Sequence, residues 1–324
     1  MPAPSQPRSP FAWLNNQPYV LLTLASLFWA GNIVLARYVA GHVPPLTLSC
    51  IRWIGTFLML WPFARTHLAR DWRTLLAHWP LLLLLALTGF AVNNALSYWA
   101  MQYTQAINGL LIQSSAPLFV ALWSLALFGV RLSVGQLTGI AMSLTGVLVI
   151  LLRGDLGALG AIQFNRGDLM FASALLVFGL YSAVMTRRPA VHQLSLISCC
   201  TAMGAVLLLP LAIWEYSSGS VLTPDLLSIA TLGYVVVFAS ALAYLFFNRG
   251  ISLIGPNRAA PFLHLVPLFG SVLAIVLLGE ELKAFHLAGY ALVIGVVIVA
   301  SRSPLRPARA GDQRKDGSLR QDAS

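Results

Sequence analysis

Apolar runs separated by short polar connections follow one another along almost the whole chain. A helix crossing the hydrocarbon core of a bilayer needs about 20 mostly apolar residues. On that measure the pattern predicts ten spans, at 19–39, 46–64, 79–101, 107–129, 134–152, 169–187, 194–214, 226–248, 257–279 and 285–301. The expected fold class is an all-α integral membrane protein.

Sliding the chain against itself by 150 residues exposes an internal repeat. Pro117, Leu118 and Phe119 recur as Pro267, Leu268 and Phe269; Gly129 matches Gly279, Leu132 matches Leu282, Leu137 matches Leu287 and Gly139 matches Gly289. Near the start of each half Phe28, Val34 and Arg37 match Phe178, Val184 and Arg187. Five spans is an odd number, so the second copy threads the membrane in the opposite sense. Two inverted five-helix repeats are a transporter architecture, with the substrate site near the midplane where the repeats meet.

Composition agrees: 58% of residues are hydrophobic and 9% charged, far too apolar for a soluble core. The net charge of +10 does not point to nucleic acid, because the basic residues lie scattered in connections and tail. It points to topology, since Lys and Arg collect on the cytoplasmic side. With both termini cytoplasmic, 15 Lys and Arg residues fall inside and only Arg37, Arg153, Arg166 and Lys283 outside, with Arg52 within a span. The first 18 residues are polar and Pro-rich, and the run after them is long enough to stay as a helix, so the first span is expected to be its own insertion signal. Cys50, Cys199 and Cys200 lie in apolar runs without metal or disulfide spacing and read as packing residues.

Three motifs carry a family resemblance: WAGNIVLARYV at 29–39, PPLTLSCIRW at 44–53, and a helix with a mid-span proline followed by a Gly-led loop, seen at 116–139 and again at 266–289. The chain resembles the EamA-type permeases of the drug/metabolite transporter superfamily over about residues 19 to 302. The resemblance implies a multi-pass protein of the bacterial inner membrane that moves small metabolites, often as an exporter of amino acids or related compounds. Amphipathic drug-like or lipid-linked cargo is the alternative. It divides the chain into a cytoplasmic tail (1–18), a first repeat (19–153), a periplasmic linker (154–168), a second repeat (169–301) and a basic tail expected to be disordered (302–324). The family commonly has a glutamate in the loop after the fourth span. The second half keeps it as Glu280 and Glu281, whereas the first half has Val130 and Arg131.

Polar groups in hydrocarbon are costly and face a cavity or another helix. Asn32, one turn from Trp29, can offer a donor and an acceptor to a polar solute, or can bond a neighbouring helix. Asn94, Tyr98 and Gln102 stand at i, i+4 and i+8, a stripe that either lines a path or joins helices. Gln113 and Ser114 precede Pro117, as His264 precedes Pro267, and a mid-span proline frees the carbonyl four residues earlier, on Gln113 and on Leu263. His264 is the candidate for proton coupling, because imidazole alone among the side chains deep in the spans changes charge near neutral pH. Its alternative is a neutral histidine bonded to a carbonyl. Arg52, roughly 12 Å into its span at 1.5 Å per residue, either takes a substrate carboxylate or serves structure by snorkelling or holding carbonyls. Tyr181, Tyr244 and Asn248 complete the candidate cavity wall.

The implied partners are a small-molecule substrate and the lipid bilayer. No cofactor or metal is called for, and the sequence sets no oligomeric state. An enzyme would need a nucleophile with a base or a metal cluster, and a nucleotide-driven pump would need a G-x-x-x-x-G-K-[ST] loop; the sequence offers neither.

Overall fold

The computed structural model describes residues 13–129, 145, 165–254, 262–263, 265–284, 286–288 and 290–291. Among these, every regular element is helical. We label them α1 (Pro18–Tyr38), α2 (Pro45–Ala77), α3 (Trp79–Ala100), α4 (Ala106–Gln113), α5 (Ala116–Phe128), α6 (Arg166–Val184), α7 (Gln193–Ser217), α8 (Leu226–Tyr234, Val235–Leu242 and Ala243–Ile254) and α9 (Leu265–Leu278). Six helices are long and apolar enough to cross a membrane, or seven if α4 and the helix after it form one bent span. The span expected at 134–152, most of that at 285–301, and His264 lie outside the described residues.

Four spans differ from their sequence expectation. Helix α2 runs 33 residues rather than ending near 64, about 50 Å at 1.5 Å per residue, which exceeds a hydrocarbon core of about 30 Å. The extra turns carry Arg65, Arg70, Asp71 and Arg73, and Asp71 accepts the backbone N–H of His192 at 2.9 Å. The fourth span is two helices bent by 40°. Pro117 sits in the first turn of α5, where its missing N–H costs nothing. The carbonyl of Ile112 is met by the Ser115 N–H and hydroxyl, and that of Leu110 by the Ser114 hydroxyl at 3.2 Å. Two carbonyls at the bend thus have local partners, those of Leu110 and Ile112. Finally, α3 and α8 each contain a π-helical stretch, at Ala86–Val92 and Val235–Leu242. The two stretches are offset by the same distance as the sequence repeat, to within a residue.

The packing is reciprocal. Helix α1 lies against α8 and α9, and α6 lies against α3 and α5; α2 packs along α7; α7 touches the π stretch of α3, and α2 touches that of α8. The loop after α1 is tied to the start of α8 by His42 Nε2 and Asp225 Oδ2, 2.7 Å apart.

Close approaches are made over glycine. A Cβ on Gly179 of α6 would stand 2.7 Å from the Phe119 backbone of α5. Backbone cannot rotate away as a side-chain tip can, so the helices would have to separate. Gly179→Leu is expected to cost about 1–3 kcal/mol, as overpacking does, and to lower the detergent melting temperature; an unchanged melting temperature would contradict the packing of α5 on α6.

Candidate functional site

Arg52 is 3% exposed, in the middle of a bilayer-length stretch. Its Nε donates to Ser240 Oγ at 2.7 Å, Nη1 to Tyr98 OH at 2.7 Å and Asn94 Oδ1 at 3.1 Å, and Nη2 to the Ala239 carbonyl at 3.4 Å. Its guanidinium also lies 4.6 Å from the centre of the Trp53 ring. Placing an arginine at a span centre costs about 2.5–3.5 kcal/mol on insertion scales. Hydrogen bonds between membrane helices contribute about 0.6 kcal/mol on average and up to about 1.7. Four of them are of the size needed to offset the penalty, so Arg52 is held by pairing. The snorkelling alternative is corrected: the side chain does not reach for an interface.

The partners are themselves set by the π stretches. A π turn leaves a carbonyl displaced from the regular ladder. Asn94 Nδ2 donates to the Gly89 carbonyl at 3.0 Å, and Ser240 Oγ donates to the Val235 carbonyl at 2.7 Å, each five residues back. The same two side chains meet Arg52 through their oxygens. Each π distortion therefore orients one acceptor for the guanidinium.

From Arg52 the chain of bonds continues. Tyr98 OH, accepting from Nη1, donates to Asn32 Oδ1 at 2.7 Å. The Asn32 amide nitrogen has no hydrogen-bond partner among the described residues. Aromatic rings surround this line. Trp29 meets Tyr244 edge-on at 5.8 Å and Phe247 at 5.1 Å, Trp53 meets Phe90 at 4.9 Å, and Phe90 meets Tyr181 at 5.9 Å. Tyr181 lies directly over Gly89, where a Cβ would stand 2.4 Å from its ring.

The structure thus brings Asn32, Arg52, Asn94 and Tyr98 into one bonded group, with Trp29, Tyr181 and Tyr244 among the rings around it. It separates others. Helix α3 ends at Ala100, so Gln102 leaves the stripe and its Oε1 accepts the Gly41 N–H at 2.6 Å. Gln113 ends α4 and Ser114 follows it at the bend before α5, where its hydroxyl donates to the Leu110 carbonyl. Asn248 is half-buried in α8, one turn beyond Tyr244.

Glu215 and Asp168 carry no role in the sequence pattern, and Glu280 stands there only as a loop glutamate, yet all three hold other segments. Glu215, 6% exposed, accepts the Leu46 and Thr47 N–H groups at 3.2 and 2.7 Å, capping α2. Glu280 accepts the Ala106 and Ile107 N–H groups at 2.8 and 2.9 Å, capping α4. Asp168, 1% exposed, accepts from Thr104 Oγ1 and, at 3.3 Å, from Asn108 Nδ2, and Asn108 Oδ1 lies 3.0 Å from His286 Nε2. The available signal was the proline or polar turn before each helix, whose bare N–H groups need acceptors.

The EamA-like transporter family model matches residues 17–152 and 165–302. This chain belongs to that family. The EamA-like chain is therefore a multi-pass membrane transporter and not an enzyme. It is 26% identical over 299 residues to an uncharacterized transporter of Archaeoglobus fulgidus, covering 89% of this chain and 99% of that one. It is 27% identical to a probable amino-acid metabolite efflux pump of Salmonella typhimurium, covering 85% of this chain and 91% of that one. A probable terminal-alkyne amino-acid exporter of Streptantibioticus cattleyicolor is 27% identical over 70% of this chain and 74% of its own length. A solved crystal structure at 20% identity superposes with a TM-score of 0.58 over 88% of this chain and 96% of that chain, which shows a shared fold.

Proposed function

We propose that this transporter exports amino acids or related zwitterionic metabolites by alternating access, around a site formed by Asn32, Tyr98, Asn94 and Arg52. The observation that carries the reading is the unbroken line from Asn32 through Tyr98 and Arg52 to Ser240, which ties α1, α2 and α3 to α8. A solute carboxylate competes for the same guanidinium donors. By displacing Tyr98 or Asn94 it would loosen the tie between the two halves, so that binding and the conformational change draw on one set of bonds. The indole of Trp29 and the rings of Tyr181 and Tyr244 would hold the apolar side chain.

The wider arrangement we infer is ten helices in two inverted repeats, in the bacterial inner membrane with both termini cytoplasmic. It is supported by the two separate stretches matched by one family model, by the π stretches recurring at the repeat distance, and by the reciprocal packing of α1 and α6. Cargo class is supported by the two relatives named for amino-acid export.

The test is release of preloaded labelled amino acids from proteoliposomes. Selective release is expected, and Tyr98→Phe is expected to slow it about tenfold, since the lost hydroxyl breaks two bonds worth about 0.6–1.7 kcal/mol each. No release of any amino acid from folded protein would reject this cargo in favour of amphipathic or lipid-linked compounds. Normal release by Tyr98→Phe would reject the site.

A further inference from the structure

A cavity lies away from the Arg52 group, at the end of the bundle where α1, α4 and α9 finish or begin. It encloses about 550 Å³ and is lined by Arg37, Tyr38, Gln105, Glu280, Glu281 and Lys283, among others. A neighbouring space of about 230 Å³ shares Arg37, Gln105 and Lys283 as walls. The combined size suits a small solute, since ligand pockets run from about 300 to 1,000 Å³.

Its charges are not spent on one another. No ion pair joins any of these four charged side chains among the described residues. Arg37 is half-buried at the last turn of α1, and its Nη1 donates to the Met101 carbonyl at 3.0 Å, which fixes the guanidinium but leaves its other donors facing the cavity without a protein partner. The Lys283 ammonium has no partner among the described residues. The Glu280 carboxylate, which could have answered either cation, is occupied by the Ala106 and Ile107 N–H groups. Two cations, Arg37 and Lys283, and two carboxylates, Glu280 and Glu281, thus line one cavity with no ion pair among them in the described residues, and Glu280 is held by the start of α4. A fixed guanidinium with open donors is suited to a carboxylate.

We propose that this cavity is a second substrate site, which binds the α-carboxylate of an amino acid between Arg37 and Lys283 and its α-ammonium near Glu281. The ligand class rests on the amino-acid exporter reading. In the inferred topology the cavity lies on the extracytoplasmic side, so it receives the solute after the Arg52 group releases it. The open guanidinium and ammonium donors of Arg37 and Lys283 recognise the carboxylate end of the solute, and a carboxylate-free analogue is a poor ligand.

The test is equilibrium binding of tritiated L-leucine to the purified full-length protein in detergent. Two leucine sites per chain are expected. Lys283→Gln, which removes an ammonium with no hydrogen bond or ion pair among the described residues, is expected to weaken one of them at least tenfold while the melting temperature stays unchanged, and Arg37→Gln, which also loses the bond to the Met101 carbonyl, to weaken the same site at least tenfold. Asn32→Ala is expected to weaken only the other. Leucinol should compete poorly at the Lys283-sensitive site, and 4-methylpentanoate should compete there better than leucinol. Leucine binding unchanged in both Arg37→Gln and Lys283→Gln, or no saturable leucine binding at all, overturns the second site. The exporter reading is judged separately, by release from proteoliposomes.

Discussion

Arg52→Lys is expected to slow amino-acid efflux from proteoliposomes by at least about tenfold while the protein remains folded. The guanidinium reaches Ser240, Asn94, Tyr98 and Ala239 from three nitrogens spread over a plane. A lysine ammonium keeps the charge but donates from one point at the end of a flexible stem. It can hold one side of this group, not both. Losing two of the four bonds at about 0.6–1.7 kcal/mol each removes about 1–3 kcal/mol, and each 1.4 kcal/mol is a factor of ten. The charge stays buried and partly paired, so the large penalty of an orphaned ion does not arise. The measurement is initial efflux rate beside melting temperature. Efflux within twofold of wild type would show that Arg52 contributes only bulk and charge. Lost efflux together with collapsed stability would show a scaffold residue rather than part of the transport site. Arg52→Met then separates the charge from its geometry: it removes the ion altogether and leaves Tyr98 bonded only to Asn32.

The long helices were legible because hydrophobic run length is a property of the sequence itself. Asn32, Asn94 and Tyr98 were legible for a similar reason, since a polar side chain deep in an apolar run must find a partner. Their mutual bonding was not. It depends on the π stretches at Ala86–Val92 and Val235–Leu242, which shift the register of α3 and α8 and turn Asn94 and Ser240 toward Arg52. No local propensity marks Ser240, a lone serine in Val-Val-Val-Phe-Ala-Ser-Ala-Leu. Periodicity that assumes an unbroken α-helix also misplaced Gln102, because it extended the stripe through a helix that had already ended at Ala100. Glu215 and Glu280 likewise reach across from a later part of the chain to helix starts near 46 and 106. Contacts over such sequence separations follow from the tertiary arrangement, not from local pattern.

Glu280 carries the second large expected effect. Its two oxygens hold the first N–H groups of α4 from the loop after α9, joining segments from the two halves at the end of the bundle that holds the Arg37 cavity. At the matching repeat position stands Val130, which has no acceptor in its side chain. In the proposed pair of inverted repeats, a carboxylate cap at one end whose matching position in sequence is a valine would bias the equilibrium between the two facing states, in favour of the state closed where the bond is made. Glu280→Gln leaves one oxygen to accept and turns an N–H₂ group toward a backbone N–H. The loss expected is about 1–2 kcal/mol, the range of a helix cap, which is a factor of about 5–30 in population. In the proposed topology the outward-open state should gain by that factor. The readout is labelling of Val34→Cys, a position 2% exposed one turn below Arg37, by a membrane-impermeant maleimide applied from the extracytoplasmic side, with Cys50, Cys199 and Cys200 replaced by alanine. Faster labelling in Glu280→Gln is expected, with Glu281→Gln, one residue away and making no such bond, as the control. Equal labelling rates in the two variants would mean that the carboxylate caps a helix and nothing more. An increase confined to Glu280→Gln would make this bond the outer latch, and efflux driven by a fixed gradient should then become limited by the return of the empty carrier.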